Sequence, residues 1–230
     1  MSIPTGKLWC FGDSFTFGHG CKPGEPYYDD YESIRGNIWS HILSKKLNLI
    51  DTNLGITGNS SEFILQQIIL NLSEFTKNDI VIISDTLPLR NVMYNGNLNK
   101  ITTMTTDWEL KTHDDKKYSH IPSPFYRDND EKHTLLNYIY SFLLPYKTQW
   151  SKYYRNQFDS LLKYLNNNGI STYFWSHTLW ASGHRFERIS NSTNGKILDD
   201  HFSWDGHKQF SNYLLERIIK EGHLPKSTLI

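Results

Sequence analysis

Four short apolar runs along the chain have the length and composition of buried strands. They are KLWCF (7–11), LIDTNL (49–54), DIVIIS (79–84) and STYFWS (171–176). Short runs of apolar residues without regular polar alternation are typical of strands covered on both faces. The pattern therefore predicts four strands in the interior of the protein.

Stretches with helical periodicity lie between and after these runs. They cover 37–47, 60–72, 150–165 and about 204–220, and their apolar residues recur every three or four positions. Ser60 or Ser61 is expected to cap the second of these helices, and Ser203 the last one. The alternation of strands and helices predicts an α/β protein, with three layers (α/β/α) around a mostly parallel central sheet.

The length of 230 residues suits one domain that covers the whole chain, 1–230. One part of it, about 95–135, is polar and has no strand or helix period. Loops of this length in a compact domain are usually lids, arms that bind a partner, or partly disordered. We therefore expect a long polar insertion or lid there, which would also be the place where the chain joins a larger assembly.

Charge and composition exclude several classes of function. Lys plus Arg and Asp plus Glu both number 24, so the net charge is zero and neither a nucleic-acid partner nor attachment to an anionic membrane is expected. No apolar stretch is long enough for a membrane span or a secretory leader, so we expect a soluble protein, in the cytoplasm or in a larger assembly. Two cysteines and no HExxH motif give no reason to expect a metal or another cofactor.

The first predicted strand runs directly into Gly12-Asp13-Ser14. A serine at the carboxyl end of a parallel strand can expose its hydroxyl at the edge where such sheets bind ligands. The same serine can equally be the N-cap of the following helix. The segment alone leaves both interpretations of Ser14 open.

A serine nucleophile needs a base, and the base needs an acceptor that orients it. The segment ILDDHFSWDGH before the last helix offers two pairs, Asp199 with His201 and Asp205 with His207. With Ser203 as the cap, the second histidine falls on the apolar face of the helix and is expected to be packed. We therefore select His201 as the base and Asp199 as its orienting residue, with Asp200 as the nearest competitor for the second role.

Three blocks of the chain, FGDSFTFG, NLGITGNSS and DDHFSWDGH, together resemble the SGNH (GDSL-like) hydrolases. The order and separation of the blocks match that family over the whole chain. The resemblance implies a flavodoxin-like α/β/α fold with Ser14 as the nucleophile. It also implies that the backbone N–H groups of Ser14 and Gly58 form the oxyanion hole.

The third block of that family normally supplies an asparagine side chain to the oxyanion. The corresponding segment here, IISDTLPLRN, lacks the Gly-x-Asn-Asp motif that contains this asparagine. Thr86 and Asn59 are the candidates to replace this donor. Arg90, His177 and Trp180 follow predicted strands on the ligand side and are candidates for substrate binding. Loss of one oxyanion donor typically costs about 2.7–4 kcal/mol of transition-state stabilisation.

The resulting hypothesis is a serine esterase that removes small acyl groups, such as acetyl, through a Ser-His-Asp triad. The abundant aromatic residues (7 Trp, 14 Tyr and 12 Phe) would suit a carbohydrate ester as substrate. The alternative is a weak or inactive module of the same fold that binds within a larger assembly. The absent asparagine and the long polar insertion motivate this second hypothesis.

Overall fold

A computed structural model of the chain describes residues 6–18, 34–57, 59–86, 90–95, 100–105, 147–176, 186, 188–190 and 197–222. The strands are β1 (Lys7–Phe11), β2 (Ile50–Asn53), β3 (Ile80–Ser84), β4 (Arg90–Asn95), β5 (Lys100–Thr105), β6 (Ser171–Trp175), β7 (Arg188–Ser190) and β8 (Ile197–Phe202). The helices are α1 (Ser14–Phe17), α2 (Trp39–Leu47), α3 (Ser61–Asn71), α4 (Lys147–Asn167) and α5 (Trp204–Lys220). Short 3-10 turns cover Arg35–Asn37 and Leu72–Glu74.

The four apolar runs form one parallel sheet with the strand order β2-β1-β3-β6. In the centre of this sheet, Leu8 of β1 lies between Asp51 of β2 and Ile80 of β3. The order of the first strands reverses between β1 and β3, as it does in flavodoxin-like folds, and ligands bind at the carboxyl ends of the strands at such a reversal. The predicted strands and the α/β/α fold class are confirmed.

Alternating side chains of the central strands fill two separate cores, one on each face of the sheet. Leu8 and Cys10 of β1 belong to the core that α2 and α5 cover. Trp9 and Phe11 of the same strand belong to the core that α3 and α4 cover. Successive residues of a strand point to opposite faces, so a strand buried on both sides reads as a continuous apolar run.

Serine caps fix the starts of two helices. The Ser60 hydroxyl accepts a hydrogen bond from the Phe63 N–H at 3.2 Å at the start of α3. The Ser203 hydroxyl accepts one from the Gly206 N–H at 3.1 Å at the start of α5. Ser203 is the cap that the sequence predicted. This cap sets the register of the residues that precede and follow it, including both candidate histidines.

Two further strand pairs lie apart from the central sheet, and the sequence did not predict them. Strands β4 and β5 form an antiparallel pair, and β4 lies beside α3. Strands β7 and β8 form the second antiparallel pair, from which the chain continues directly into α5. Of the insertion expected at 95–135, the structure describes only residue 95 and β5, so the lid and the single-domain organisation stay predictions.

Within these described ranges, none of the helices combines the length and the apolar character needed to cross a membrane.

Candidate active site

The turn after β1 presents Ser14 as the first residue of the short helix α1. The carboxylate of Asp13 caps this helix, and its Oδ1 accepts a hydrogen bond from the Phe15 N–H at 3.1 Å. Gly18, with a φ of 93°, ends the helix and donates its N–H to the Ser14 carbonyl. Since Asp13 is the cap, the hydroxyl of Ser14 is left for other contacts.

The structure brings His201 to Ser14. The Nε2 atom of His201 lies 2.7 Å from Oγ of Ser14, although 187 positions separate the two residues. Both side chains are buried, with 1% and 8% of the surface of Ser14 and His201 exposed. A histidine nitrogen at this distance can remove the proton of a serine hydroxyl as the oxygen attacks an electrophile.

An aromatic ring supports the imidazole of His201 from one side. The ring of Phe15 lies 4.7 Å from it between centroids, with the two planes inclined by 30°. Phe15 itself contacts the ring of Phe202, the residue after His201, edge to face at 5.3 Å. The Nε1–H of Trp39 donates to the Phe15 carbonyl at 3.0 Å. These contacts hold His201 and Phe15, the residue that follows Ser14, in one packed unit.

The loop after β2 lies against the turn that carries Ser14. The backbone N–H of Ile56 and the side-chain amide of Asn59 both donate to the Gly12 carbonyl, at 3.2 and 3.1 Å. The same amide nitrogen of Asn59 also donates to Oε1 of Gln67 at 3.1 Å. Both hydrogens of the Asn59 side-chain amide are therefore used in hydrogen bonds within the protein in this structure. Gly58, the predicted backbone donor, lies outside the described residues.

The approach of this loop to α1 depends on a residue without a side chain. A Cβ placed on Gly55 would meet the backbone N of Phe17 at 2.4 Å. The side chain of Asn53, at the end of β2, donates to the Thr16 carbonyl at 2.7 Å. The segment on either side of Gly58 is thus fixed close to α1.

The end of β3 contacts the turn that carries Ser14 through two hydroxyl groups. The hydroxyl of Thr86 donates to Oδ2 of Asp13 at 3.0 Å, and both residues are buried. The hydroxyl of Ser84 lies 3.1 Å from that of Thr16. Thr86, expected from the sequence to donate to an oxyanion, has its single hydroxyl hydrogen on Asp13 in this structure.

The remaining candidate residues are described only in part or not at all. Asp199 and Asp200 lie on β8, immediately before His201, and Arg90 is the first residue of β4. The structure describes their backbone and not their side chains. His177 and Trp180 lie outside the described residues.

The second histidine of the last block, His207, is packed beneath the site, as the sequence predicted. It is 1% exposed, and its Nδ1 accepts a hydrogen bond from the backbone N–H of Trp39 at 3.3 Å. Burial, and to a smaller extent the nearby His201, lowers the pKa of His207 from 6.5 to about 3. His207 is therefore neutral at pH 7, and it supports α5 against α2.

Several residues that contact Ser14, His201 or the turn after β1 were not identified from the sequence, among them Asp13, Phe15 and Ser84. Asp13 carried a local signal, because aspartate before a helix is a preferred N-cap. Phe15 and Ser84 carried none, since their contacts depend on how β8 and β3 approach α1.

Comparisons with known proteins give a distant structural likeness. No protein-family model and no curated protein matches the chain. Among solved structures, the chain is similar to a member of the lipolytic protein G-D-S-L family from Veillonella parvula DSM 2008, with 15% identity, a TM-score of 0.38 and coverage of 91% of this chain and 96% of that one. It is also similar to a putative lipolytic protein of the G-D-S-L family from Desulfitobacterium hafniense DCB-2, with 15% identity, a TM-score of 0.35 and coverage of 91% and 98%. The function proposed below rests on the geometry around Ser14 and not on these two likenesses.

Proposed function

We propose that the protein is a serine esterase whose nucleophile is Ser14 and whose general base is His201. The observation that carries the proposal is the 2.7 Å approach of the His201 Nε2 to the Ser14 Oγ. This contact joins the end of β1 to the end of β8, at the edge of the sheet where parallel α/β folds bind ligands. Both groups are buried, and a water-poor site strengthens such a hydrogen bond.

The proposed reaction has two steps. In the first, Nε2 of His201 takes the Ser14 proton while Oγ attacks the ester carbonyl, and the imidazolium then returns this proton to the departing alkoxide. In the second, His201 takes a proton from water, the hydroxide attacks the acyl-serine, and Oγ of Ser14 leaves with the proton from His201. The products are an alcohol and a carboxylic acid, and no cofactor or metal takes part.

We assign Asp199 as the residue that orients His201. One residue separates the two positions on β8, and alternate positions of an extended strand lie on the same side of it. A carboxylate that accepts from Nδ1–H would leave Nε2 as the basic nitrogen towards Ser14. Asp200, the neighbouring position, is the alternative for this role.

The oxyanion is assigned to backbone N–H groups, those of Ser14 and Gly58. The first N–H groups of a helix have no partner within that helix, and Ser14 is the first residue of α1. Gly58 adjoins Asn59, whose amide contacts the Gly12 carbonyl, and adjacent Cα atoms are about 3.8 Å apart. Help from the side chains of Thr86 or Asn59 would require each to give up a bond that it makes in this structure.

The proposed substrate is an ester of a small acyl group, such as acetyl, on a carbohydrate. The abundance of aromatic residues supports this choice, because their flat faces suit sugar rings. Arg90, His177 and Trp180 are assigned to substrate binding because each follows a strand on the ligand side. A screen of acetylated sugars against short-chain lipid esters separates the two substrate classes.

Hydrolysis of p-nitrophenyl acetate by the wild-type protein and by Ser14→Ala tests the proposal. We expect the variant to lose roughly a thousandfold or more of kcat. Ser44→Ala is the matched control, since Ser44 is also buried and its hydroxyl donates a hydrogen bond to the His41 carbonyl, but it lies on α2, away from Ser14. Equal rates for wild type and Ser14→Ala would overturn the mechanism. A fluorophosphonate should label wild type and the control, and not Ser14→Ala.

The second candidate function is a binding module that keeps the fold with little or no turnover. The engaged side chains of Thr86 and Asn59 favour it, because neither is free to replace the absent asparagine donor. Such a module would join a larger assembly through the polar stretch 95–135. A wild-type protein that neither hydrolyses the ester nor reacts with the fluorophosphonate would support this function instead.

A further inference from the structure

We infer that Thr86 is a positioning residue, which acts on Ser14 through the carboxylate of Asp13 and not on the oxyanion. This inference rests on the proposed esterase function. The end of β3 would then position the nucleophile and would not donate a hydrogen bond to the substrate.

A continuous series of contacts leads from Thr86 to the nucleophile. The Thr86 hydroxyl donates to Oδ2 of Asp13 at 3.0 Å, and Oδ1 of the same carboxylate accepts from the Phe15 N–H at 3.1 Å. The Asp13 carbonyl accepts the N–H groups of Thr16 and Phe17, at 3.0 and 2.9 Å. Asp13 is 0% exposed, so its orientation is set by the protein and not by solvent. The orientation of this carboxylate therefore sets where α1 begins, and Ser14 is the first residue of α1.

The chemistry of the two groups argues against a second role for the Thr86 hydroxyl. A hydroxyl has one hydrogen, and a carboxylate only accepts hydrogen bonds. Hydrogen bonds to a carboxylate are stronger than those between neutral groups, and a buried acceptor that loses its donor is costly. Donation by Thr86 to an oxyanion would therefore remove a partner from a fully buried carboxylate.

A second contact from the same strand end supports the positioning role independently. The hydroxyls of Ser84 and Thr16 lie 3.1 Å apart, and both are buried. A Cβ on Gly12 would lie 2.0 Å from Oγ of Ser84 and 2.2 Å from Oγ1 of Thr16. The hydroxyls of Ser84 and Thr86 thus attach Thr16 and Asp13, which lie on either side of Ser14, to the end of β3.

A double-mutant cycle with Thr86→Val and Asp13→Ala tests the inference, with kcat and KM for p-nitrophenyl acetate as the measurements. If Thr86 acts through Asp13, Thr86→Val lowers kcat by about 10-fold to 30-fold with KM unchanged, because a small displacement of a reacting atom has effects of this order. The same substitution then has no further effect when Asp13→Ala is already present. Thr86→Ser, which keeps the hydroxyl, should stay within about twofold of wild type.

A different result is expected if Thr86 donates to the oxyanion. An oxyanion donor would lose about 10²-fold to 10³-fold in kcat, and this loss would multiply with that of Asp13→Ala. Multiplying losses, or a Thr86→Val variant equal to wild type, would overturn the inference. Should Asp13→Ala fail to fold, Asp13→Ser takes its place in the cycle, because serine is also a good N-cap and lacks the second oxygen that accepts from Thr86.

The control variant is Thr172→Val. Thr172 is another buried threonine, and its hydroxyl donates to Oδ1 of Asn166 at 2.8 Å, near the start of β6. We expect this variant to keep the wild-type kcat. If Ser14→Ala retains wild-type activity, the proposed esterase function is wrong. If Ser14→Ala is inactive but the kcat losses of Thr86→Val and Asp13→Ala multiply, the esterase function stands and only the role of Thr86 is wrong.

Discussion

The ring of Phe15 lies over the imidazole of His201, with 4.7 Å between the centroids and 30° between the planes. In the proposed reaction this imidazole becomes positively charged as it takes the serine proton. The face of an aromatic ring attracts a cation, by about 0.5–2 kcal/mol according to how well water is excluded. Phe15 is therefore in place both to hold the ring of His201 and to stabilise the positive charge that develops on it during the proposed reaction.

We expect Phe15→Leu to lower kcat for p-nitrophenyl acetate by about 3-fold to 30-fold, the rate equivalent of that attraction, with little change in KM. Phe15→Tyr keeps the aromatic ring and is the control, with kcat within about threefold of wild type. A Phe15→Leu variant that folds and turns over at the wild-type rate would show that the ring contact does not serve catalysis.

Gly12→Ala should damage the site through backbone displacement. The new Cβ would meet the hydroxyls of Ser84 and Thr16 at 2.0 and 2.2 Å and the Cβ of Thr16 at 2.9 Å. Rotation of the two hydroxyls cannot relieve the third contact, so the turn that carries Ser14 must move. We expect a loss of about 1–3 kcal/mol of stability in urea unfolding, together with a large loss of fluorophosphonate labelling. Gly36→Ala is the control, because a Cβ there meets no described atom within 4 Å. Equal labelling of the two variants would contradict the tight approach at Gly12.

Stability should fall between neutral and mildly acidic pH because of His207. Its pKa is lowered to about 3 in the folded protein, chiefly by burial and then by His201, against 6.5 as the ordinary value. Between these values the unfolded state binds the extra proton, so stability decreases as the pH falls below about 6.5. At 1.36 kcal/mol per pH unit, this group alone should cost about 2 kcal/mol at pH 5 relative to pH 7.

Urea unfolding at pH 7 and pH 5 measures this effect, with His207→Asn for comparison. Asparagine can still accept the Trp39 N–H through Oδ1 and does not titrate. The variant should be less stable at pH 7 because of lost packing, but its stability should change less between the two pH values. An unchanged pH dependence would show that His207 is not the residue responsible.

Asp79 should matter for stability and not for activity. Its carboxylate, 3% exposed, accepts hydrogen bonds from the backbone N–H groups of Lys7 and Thr76 and from Nε1–H of Trp9, at 2.7, 2.8 and 3.1 Å. These bonds join the starts of β1 and β3, at the end of the sheet opposite Ser14. We expect Asp79→Asn to cost about 1.5–3 kcal/mol in urea unfolding, because an amide group replaces one of the acceptor oxygens.

Asp159→Asn provides the comparison for Asp79. Asp159 pairs with Arg155 on the surface of α4, with both side chains about half exposed (49% for Arg155 and 53% for Asp159), and such pairs contribute about 0–1 kcal/mol. Both variants should keep the wild-type kcat below their unfolding temperatures. A lower kcat for Asp79→Asn in its folded state would indicate that the two ends of the sheet are coupled.

Local patterns were enough to predict the elements of the central fold. β1 begins and ends where the run KLWCF does, and α5 covers 204–220 as its apolar spacing indicates. Both patterns repeat over a few residues, so these elements can be predicted from neighbouring residues without knowledge of long-range contacts. The pairs β4–β5 and β7–β8 were missed because their sequences, RNVMYN with KITTMT and RIS with ILDDHF, mix polar and apolar residues and contain no continuous apolar run.

The sequence by itself determined the α/β/α layers, a cap at Ser60 or Ser61, the cap at Ser203, and the short set of residues able to carry ester chemistry. The tertiary structure decided that His201, and not His207, reaches Ser14. It also decided that the hydroxyl of Thr86 donates to Asp13 and the side-chain amide of Asn59 donates to the Gly12 carbonyl in this structure. The reason is physical: strands, helices and caps depend on neighbouring residues, whereas each of these contacts depends on the distance between segments that only the folded sheet brings together.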